Sequence, residues 1–319
     1  MSSRYLAGRI GWGAVTLMVV AMVTFVLTFV IPADPARAIV GLRASAEDVA
    51  RIRDALGLND PFLEQLAGYL ARTAQGDLGY SYHHREPVLE LIVSRFPATL
   101  QLAVAGLAVA VLVGIPLGVV AARRRGGLLD RGAMLLSVVL VSIPSFWFGY
   151  LLIDLLAFRP LIAFDLELFP IGGYQPWDLR YLALPAIVIG AGSAAYYARL
   201  TRNLLLEELR QDYVRTARAK GMTERLVTWR HAFRNVSGPL LTHVGLDFGF
   251  FLGGVVIVEQ VFSWPGIGRL AIDSVTNADI PLIMGTVMFG TLCIVVANLV
   301  VDVLVVATDP RIRTGARGR

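Results

Sequence analysis

Acidic side chains set inside apolar stretches are the residues of this chain whose placement most demands chemistry. Asp247 and Glu259 lie in the stretch Leu240 to Val261, Asp154 in Ala133 to Ala157, and Asp302 in Pro281 to Ala307. A carboxylate facing lipid at the centre of a membrane helix costs about 2.5–3.5 kcal/mol on insertion scales. Asp247, near the middle of a short stretch, is therefore expected to face a bundle interior or water, which makes it a candidate for lining a solute path. Asn298 and Asp302 share a helix face at i,i+4. Asn298 is the second path candidate, whereas Asp302, near the end of its stretch, suits hydrogen bonding to another helix. Gly245, Gly249 and Gly253 recur every four residues and form a flat stripe on which another helix can pack.

Other chemistries find little support. The adjacent pair His83-His84 invites a metal reading, but neighbouring side chains on a regular element diverge and no recognised ligand spacing surrounds them; a solvated loop is expected, and no metal is assigned. His231 and His243 are far apart in sequence and receive none either. Lys220 is the only lysine, and what precedes it is not the glycine-rich loop that cradles phosphates, so no nucleotide is expected to bind this chain by that route. Neither a His-Glu-x-x-His zinc motif nor a Gly-x-Ser-x-Gly nucleophile elbow occurs. The single cysteine, Cys293, can form no intramolecular disulfide.

The elements that must position these residues are membrane helices. Of the 319 residues 56% are hydrophobic and 17% charged, and the mean hydropathy is +0.64, a composition that a soluble domain of this size would not tolerate. Crossing the ~30 Å hydrocarbon core takes ~20 apolar residues, and six segments qualify: Ile10 to Ile31, Leu100 to Ala121, Ala133 to Ala157, Leu182 to Ala198, Leu240 to Val261, and Pro281 to Ala307. The apolar run of the first is longer than the ~7–15 residues of a cleaved signal, so it reads as a retained anchor. Arg4 and Arg9, then Arg123, Arg124, Arg125 and Arg131, then Arg311, Arg313, Arg317 and Arg319 fall on one side of this arrangement. The loop from Arg199 to Gly238 joins them, with nine Lys or Arg against four acids. That side is expected to be cytoplasmic, with both termini on it. The net charge of +5 thus reflects topology rather than a nucleic-acid surface.

Two regions outside the spans carry structure. From Pro32 to Pro97, on the outer side, Ser45 can cap a helix with Glu47 and Asp48 in its first turn and Gly57 at its end. Asn59 or Asp60 with Pro61 starts another that runs toward Gly76. Gly76 to Ser81 reads as a turn and Pro87 to Arg95 as a helix lying against the membrane. This region is either a cap over the spans or a surface for an external partner. On the cytosolic side, Arg202 to Lys220 reads as a helix running on from the fourth span. Gly221 stops it in a left-handed conformation, and Thr223 caps a second helix with Glu224 in its first turn. Leu226, Trp229 and Phe233 give that helix one apolar face, and Gly238-Pro239 ends it. Thr216, Ala217 and Ala219 are small enough for another backbone to come close. The element is either a docking elbow or an amphipathic helix lying on lipid.

The run DYVRTARAKGM, followed by RHAFRN and a proline, resembles the cytoplasmic EAA-type loop of ABC importer permeases in the dipeptide and oligopeptide branch. The segments ALGLNDPFLEQ, GDLGYS, RFPATLQLA, SIPSFWFG, EQVFSWPGIGRL and ATDPRIR extend the resemblance over nearly the whole chain in the expected order. It is similar to the first, B-type, permease subunit. The resemblance implies an all-α polytopic membrane protein of six transmembrane helices in the type I importer fold, with an external helical loop after helix 1. The corresponding divisions are 1–31 (tail and first helix), 32–97 (external loop), 98–308 (a five-helix core with the coupling loop 199–239) and 309–319 (a basic cytoplasmic tail). It further implies a prokaryotic inner membrane location and three kinds of partner besides lipid: a second permease, two ATP-binding subunits or domains, and an extracytoplasmic solute-binding protein. ATP and Mg would be bound by the partners, leaving this chain without cofactor or catalytic residue. The residues placed on the coupling loop are Asp212, Tyr213, Thr216, Ala217, Ala219, Gly221, Arg230 and Asn235; Arg215 stands where the family's name-giving Glu would be. Peptides are the expected solute, with nickel complexes or glutathione as alternatives. The rival class is a self-sufficient ion-coupled carrier using Asp247 and Glu259, and it lacks the internal repeat such carriers show.

Overall fold

The computed structural model describes residues 3–30, 36, 45–55 and 59–308. Among these residues there is no strand beyond one isolated bridge between Tyr80 and Pro87, and helices account for the rest of the regular structure. In chain order they are α1 (Ser3–Val30), α2 (Ala46–Ala55), α3 (Phe62–Ala74), α4 (Val88–Arg123), α5 (Leu128–Ser142), α6 (Ser145–Phe164), α7 (Leu179–Glu208), α8 (Asp212–Ala219), α9 (224–252), α10 (Val256–Val261), α11 (Ile267–Thr276) and α12 (Ile280–Thr308). The expected tail 309–319 and the stop at Gly57 lie outside the described residues.

Five of these helices are long and apolar enough to cross a membrane: Ala7–Leu27 of α1, then α4, α6, α7, and Ile280–Val303 of α12. Among the described residues five of the six expected segments are recovered in these helices with different ends, and the fifth, Leu240 to Val261, is not among them. The second does not begin after a separate surface helix, because α4 runs unbroken through Pro97. A proline removes one donor, and a long helix packed among others tolerates that loss. With 36 residues, α4 spans ~54 Å at ~1.5 Å per residue and overshoots the hydrocarbon on at least one side. The third segment, by contrast, is two helices: Ile143, directly before Pro144, is extended (φ −78°, ψ 125°) and separates α5 from α6, the conformation a following proline favours. The fifth is also divided, since α9 ends at Leu252 and α10 begins at Val256. Between them Gly254 takes φ +103° with Gly268 backbone 3.0 Å from where its Cβ would be.

Close helix crossings hold the bundle. A Cβ on Gly114 or Gly118 would come within 2.5 Å of the carbonyl oxygens of Ala194 and Ala198, so α4 and α7 touch backbone to backbone. The glycine stripe of α9 serves the same purpose against α12: Gly245 faces Val301, Gly249 faces Ala297 and Gly253 faces Ile294. In lipid, where apolar side chains gain little by leaving solvent, such packing is what drives helix association. Asp302 bonds across helices as expected, pairing with Arg9 of α1 (Nε–Oδ2 3.1 Å).

Two buried carboxylates fasten the connections. Glu259 is fully buried and accepts Thr99 Oγ1–H (2.8 Å) and the Arg269 N–H (2.8 Å), while Thr99 Oγ1 accepts the Ile267 N–H (2.8 Å). The fully buried Trp264 donates Nε1–H to the Ala98 carbonyl (2.9 Å). Both oxygens of Glu259 are therefore engaged in anchoring the start of α11 to α4. Asp279, ahead of α12, accepts the Ser81 hydroxyl (2.5 Å) and the His83 N–H (3.1 Å), and Ser81 in turn accepts the His84 N–H (3.0 Å). The His83-His84 segment is thus pinned to the bundle through its backbone. Between α1 and α4, Ser45 caps α2 through the Asp48 N–H (3.1 Å), Gly76 (φ +82°) follows α3, and Phe62 and Tyr69 of α3 pack on Phe25 of α1 at 5.6 and 5.5 Å.

Candidate functional site: an exposed elbow and a polar cluster between helices

The elbow forms from local signals. α7 stops at Glu208, and a turn at Leu209–Gln211 separates it from α8, so the expected continuous helix 202–220 is broken. The break lets Val214 and Ala217 of α8 fold back on Val227 of α9, with Leu209 and Met222 closing the small core. Gly221 takes φ +77°, donating to the Arg218 carbonyl (2.9 Å) while Met222 donates to that of Ala217 (3.3 Å). This is the pair of bonds that a glycine-terminated helix makes with its last carbonyls. Thr223 caps α9 through the Leu226 N–H (3.4 Å), and Arg218 grips Glu224 with two nitrogens (2.7 and 3.2 Å). That guanidinium holds the Glu224 carboxyl below its usual range. α9 then runs through Gly238 and Pro239 instead of ending there. A π-helical turn at Val227–Ala232 precedes this passage.

The named loop residues separate into two groups. Asp212, Tyr213, Thr216, Ala219, Gly221, Arg230 and Asn235 are exposed, whereas Ala217 is buried and so belongs to the elbow's own core, not to a contact surface. Tyr213, Glu208 and Asn235 form one network: the tyrosine hydroxyl donates to Glu208 Oε2, and the Asn235 amide donates to both (3.1 Å each). Burial, then the Glu208 carboxylate, pushes the Tyr213 hydroxyl up to about 12. Leu226 and Trp229 are not covered by the chain; with Thr223 and Arg225 they line a groove of about 430 Å³. Beneath the elbow the buried Asp130 receives Arg202 Nε (2.5 Å) and Nη2 (2.9 Å) and the Gly126 N–H (2.8 Å). The Arg202 bond, against the cost of burial, brings its carboxyl down to about 2. This pair was absent from the sequence reading because its members are 72 positions apart.

The second cluster lies where α7 meets α9. Tyr197, fully buried, donates its hydroxyl to Asp247 Oδ2 (2.7 Å). Tyr196 reaches the His243 ring (3.3 Å to Nε2), with the two rings edge to face at 5.2 Å. Asn298, half-buried on α12, makes no hydrogen bond with this group, so the two path candidates are not brought together. Tyr196, Tyr197 and His243 were missed as partners. The i,i+4 spacing of His243 and Asp247 was the available signal, and the tyrosine pair had none. Among the described residues no group of three or more His, Cys, Asp or Glu side chains is placed to hold a metal.

Residues 114–314 match the family model described as "Binding-protein-dependent transport system inner membrane component". Residues 2–103 match its companion, "Binding-prot-dependent transport system membrane comp, N-term". The chain is 42% identical over 298 residues to the glutathione transport system permease protein GsiC of Salmonella choleraesuis (strain SC-B67), covering 93% of this chain and 95% of that one. The protein of the same name from Escherichia coli (strain K12) is 40% identical over the same length and coverage. Among solved structures, inward-facing forms of the MetNI methionine ABC transporter share the fold: TM-score 0.53 at 18% identity, covering 69% of this chain and 97% of that chain.

Proposed function

The chain belongs to the family of binding-protein-dependent transport system inner membrane components and is a membrane-embedded permease subunit of an ABC importer, and from this we propose that it translocates peptides handed over by an extracytoplasmic binding protein. Glutathione, the solute named for its relatives, is itself a small peptide and falls within this reading. The working complex contains a second homologous permease and two ATP-binding subunits. α9 serves as the sixth crossing, and both termini, the elbow and the tail 309–319 lie in the cytoplasm, with 32–97 outside. The core is 98–308, and within it the loop 199–239 couples the motor to the pathway.

The observation that carries the reading is the exposed elbow itself. Gly221 is left-handed with nothing within 4 Å of a would-be Cβ, and the neighbouring Leu226 and Trp229 leave an apolar groove open beside it. A lipid-lying helix would turn such residues toward a membrane along its length, whereas here they gather at one bend beside Arg225 and Arg230. That geometry suits a protein surface with a cleft. The chain is expected to hydrolyse no ATP alone and to move no solute in liposomes. Co-assembly with the companion permease, the ATPase subunits and the binding protein should give both activities. Uptake driven by a proton or sodium gradient with this chain alone would refute the assignment in favour of an ion-coupled carrier.

A further inference from the structure

Asp247 is a carboxylate within the apolar part of α9 whose one protein partner among the described residues is the hydroxyl of Tyr197. No arginine or lysine is paired with it, unlike Asp130, Asp154, Asp178 and Asp302, each of which holds an arginine. Its surroundings are aromatic. Tyr197 reaches it through its hydroxyl, and Tyr196, 38% exposed, lies against the half-buried His243, one turn before Asp247 on α9. The same flank of α9 continues with Leu246 and Phe250, both exposed from this chain. A carboxylate with one hydroxyl donor and no cationic partner, beside a tyrosine–histidine pair, attracts one kind of group: a compact cation able to donate a hydrogen bond to the free carboxylate oxygen with rings close by. The acyl chains of lipid cannot supply it, and polar residues of this kind inside membrane helices face a bundle interior or a water-filled cavity.

We propose that Asp247, Tyr197, Tyr196 and His243 form a station on the translocation path that takes the ammonium group of the passing solute, the free amino terminus of a peptide. Asp247 Oδ1 accepts from the ammonium, Tyr197 holds the carboxylate in place through Oδ2, and Tyr196 and His243 offer their rings beside it. The proposal rests on the permease reading, and ATPase stimulation by the loaded binding protein in the same complex tests that reading separately.

The decisive experiment uses the assembled complex with Cys293→Ala and Leu246→Cys, treated with a trimethylammonium-bearing and a sulfonate-bearing methanethiosulfonate, with and without trapped nucleotide. Leu246→Cys should react in at least one state, and Asp247→Asn should lower the ratio of cationic to anionic rates by about a hundredfold, because one unit charge ~6 Å away at an effective dielectric of ~40 changes each reagent's rate about tenfold in opposite senses. The methyl ester of dialanine, cationic at its free amine, should slow labelling, and its N-acetylated counterpart should not. Tyr197→Phe, which keeps the aromatic packing, should weaken that protection several-fold while the complex still co-purifies. The proposal is overturned if neither reagent reacts in any state, which would mean that a partner or lipid seals this face. An unchanged rate ratio in Asp247→Asn, or equal protection by the two esters, overturns it as well.

Discussion

Gly221 offers the sharpest test of the elbow, because strain and bulk at this position can be separated. At φ +77° a residue with a Cβ incurs roughly 1–2 kcal/mol of backbone strain, whereas no atom within 4 Å opposes the added carbon. Against the strain stands the small core under α8. Val214 and Val227 are completely buried, each contributing about 1.5–3 kcal/mol, and the exposed Arg218–Glu224 pair adds at most about 1 kcal/mol. Two valines therefore outweigh the strain, so Gly221→Ala and Gly221→Val should leave the elbow folded and the chain inserted. Asparagine tolerates the left-handed region, so Gly221→Asn should cost least in stability while still projecting a side chain into the open space. If that space is where an ATPase subunit seats, ATPase activity stimulated by the loaded binding protein should fall at least tenfold in Gly221→Val. It should fall markedly in Gly221→Asn as well, with near-normal accumulation of both. Lys220→Ala, which removes one exposed charge, should be much milder. Co-purification with the ATPase and stimulated turnover are the measurements. Wild-type turnover in Gly221→Val would show that the elbow docks no motor.

Asp130→Ala should destabilise the elbow end of the bundle by about 3–5 kcal/mol, because it strands the Arg202 guanidinium. Since the Asp130 carboxyl is lowered to about 2, the bond is fully in force above the ordinary aspartate range near ~4 and is lost as pH falls toward 2. Thermal melting of wild type and Asp130→Asn should therefore differ most near neutral pH and converge in acid, and an equal gap at all pH values would exclude this ion pair as the cause. Gly245→Val places Cβ 1.9 Å from Val301 Cγ2 and should abolish accumulation, with Val301→Ala restoring part of it; failure of any rescue would mean that the stripe does not pack as described. For topology, Glu86→Cys and Thr223→Cys, both at exposed positions, should label from outside and inside respectively in a Cys293→Ala background. Ser81 is unsuitable because Asp279 buries it. Labelling of Thr223→Cys by an impermeant reagent in intact cells would reverse the orientation.

What could be read from the sequence was what local chemistry decides. Gly221, Thr223 and Glu224 make their bonds within six residues, and the elbow they predict is present. The glycine stripe at 245, 249 and 253 likewise shows its use in its spacing. Prolines were poorer guides. Pro144 ends a helix while Pro97, Pro185 and Pro239 lie inside helices, and the difference lies in whether neighbouring helices hold the preceding residue helical, which a linear reading cannot see. The gap between α9 and α10 escaped notice for the same reason. Gly253 and Gly254 look like part of an apolar span until Gly268 is found pressed against Gly254. Tyr197–Asp247 and Arg202–Asp130 join residues 50 and 72 positions apart, and no periodicity encodes such partners.

The continuity of α9 through Pro239 has a mechanical consequence. Thr223 at the elbow and Asp247 beside Tyr197 stand at two points on one unbroken rod, about 36 Å apart at ~1.5 Å per residue. A tilt of about 5° pivoting at the elbow would carry Asp247 sideways by roughly 3 Å over that length, as far as the 2.7 Å that separates its oxygen from the Tyr197 hydroxyl. A rigid rod would thus need only a slight rocking at its cytosolic foot to open or close a contact deep in the bundle. The π-helical turn at Val227–Ala232 and Pro239 are the places on that rod where such motion could be absorbed instead of transmitted.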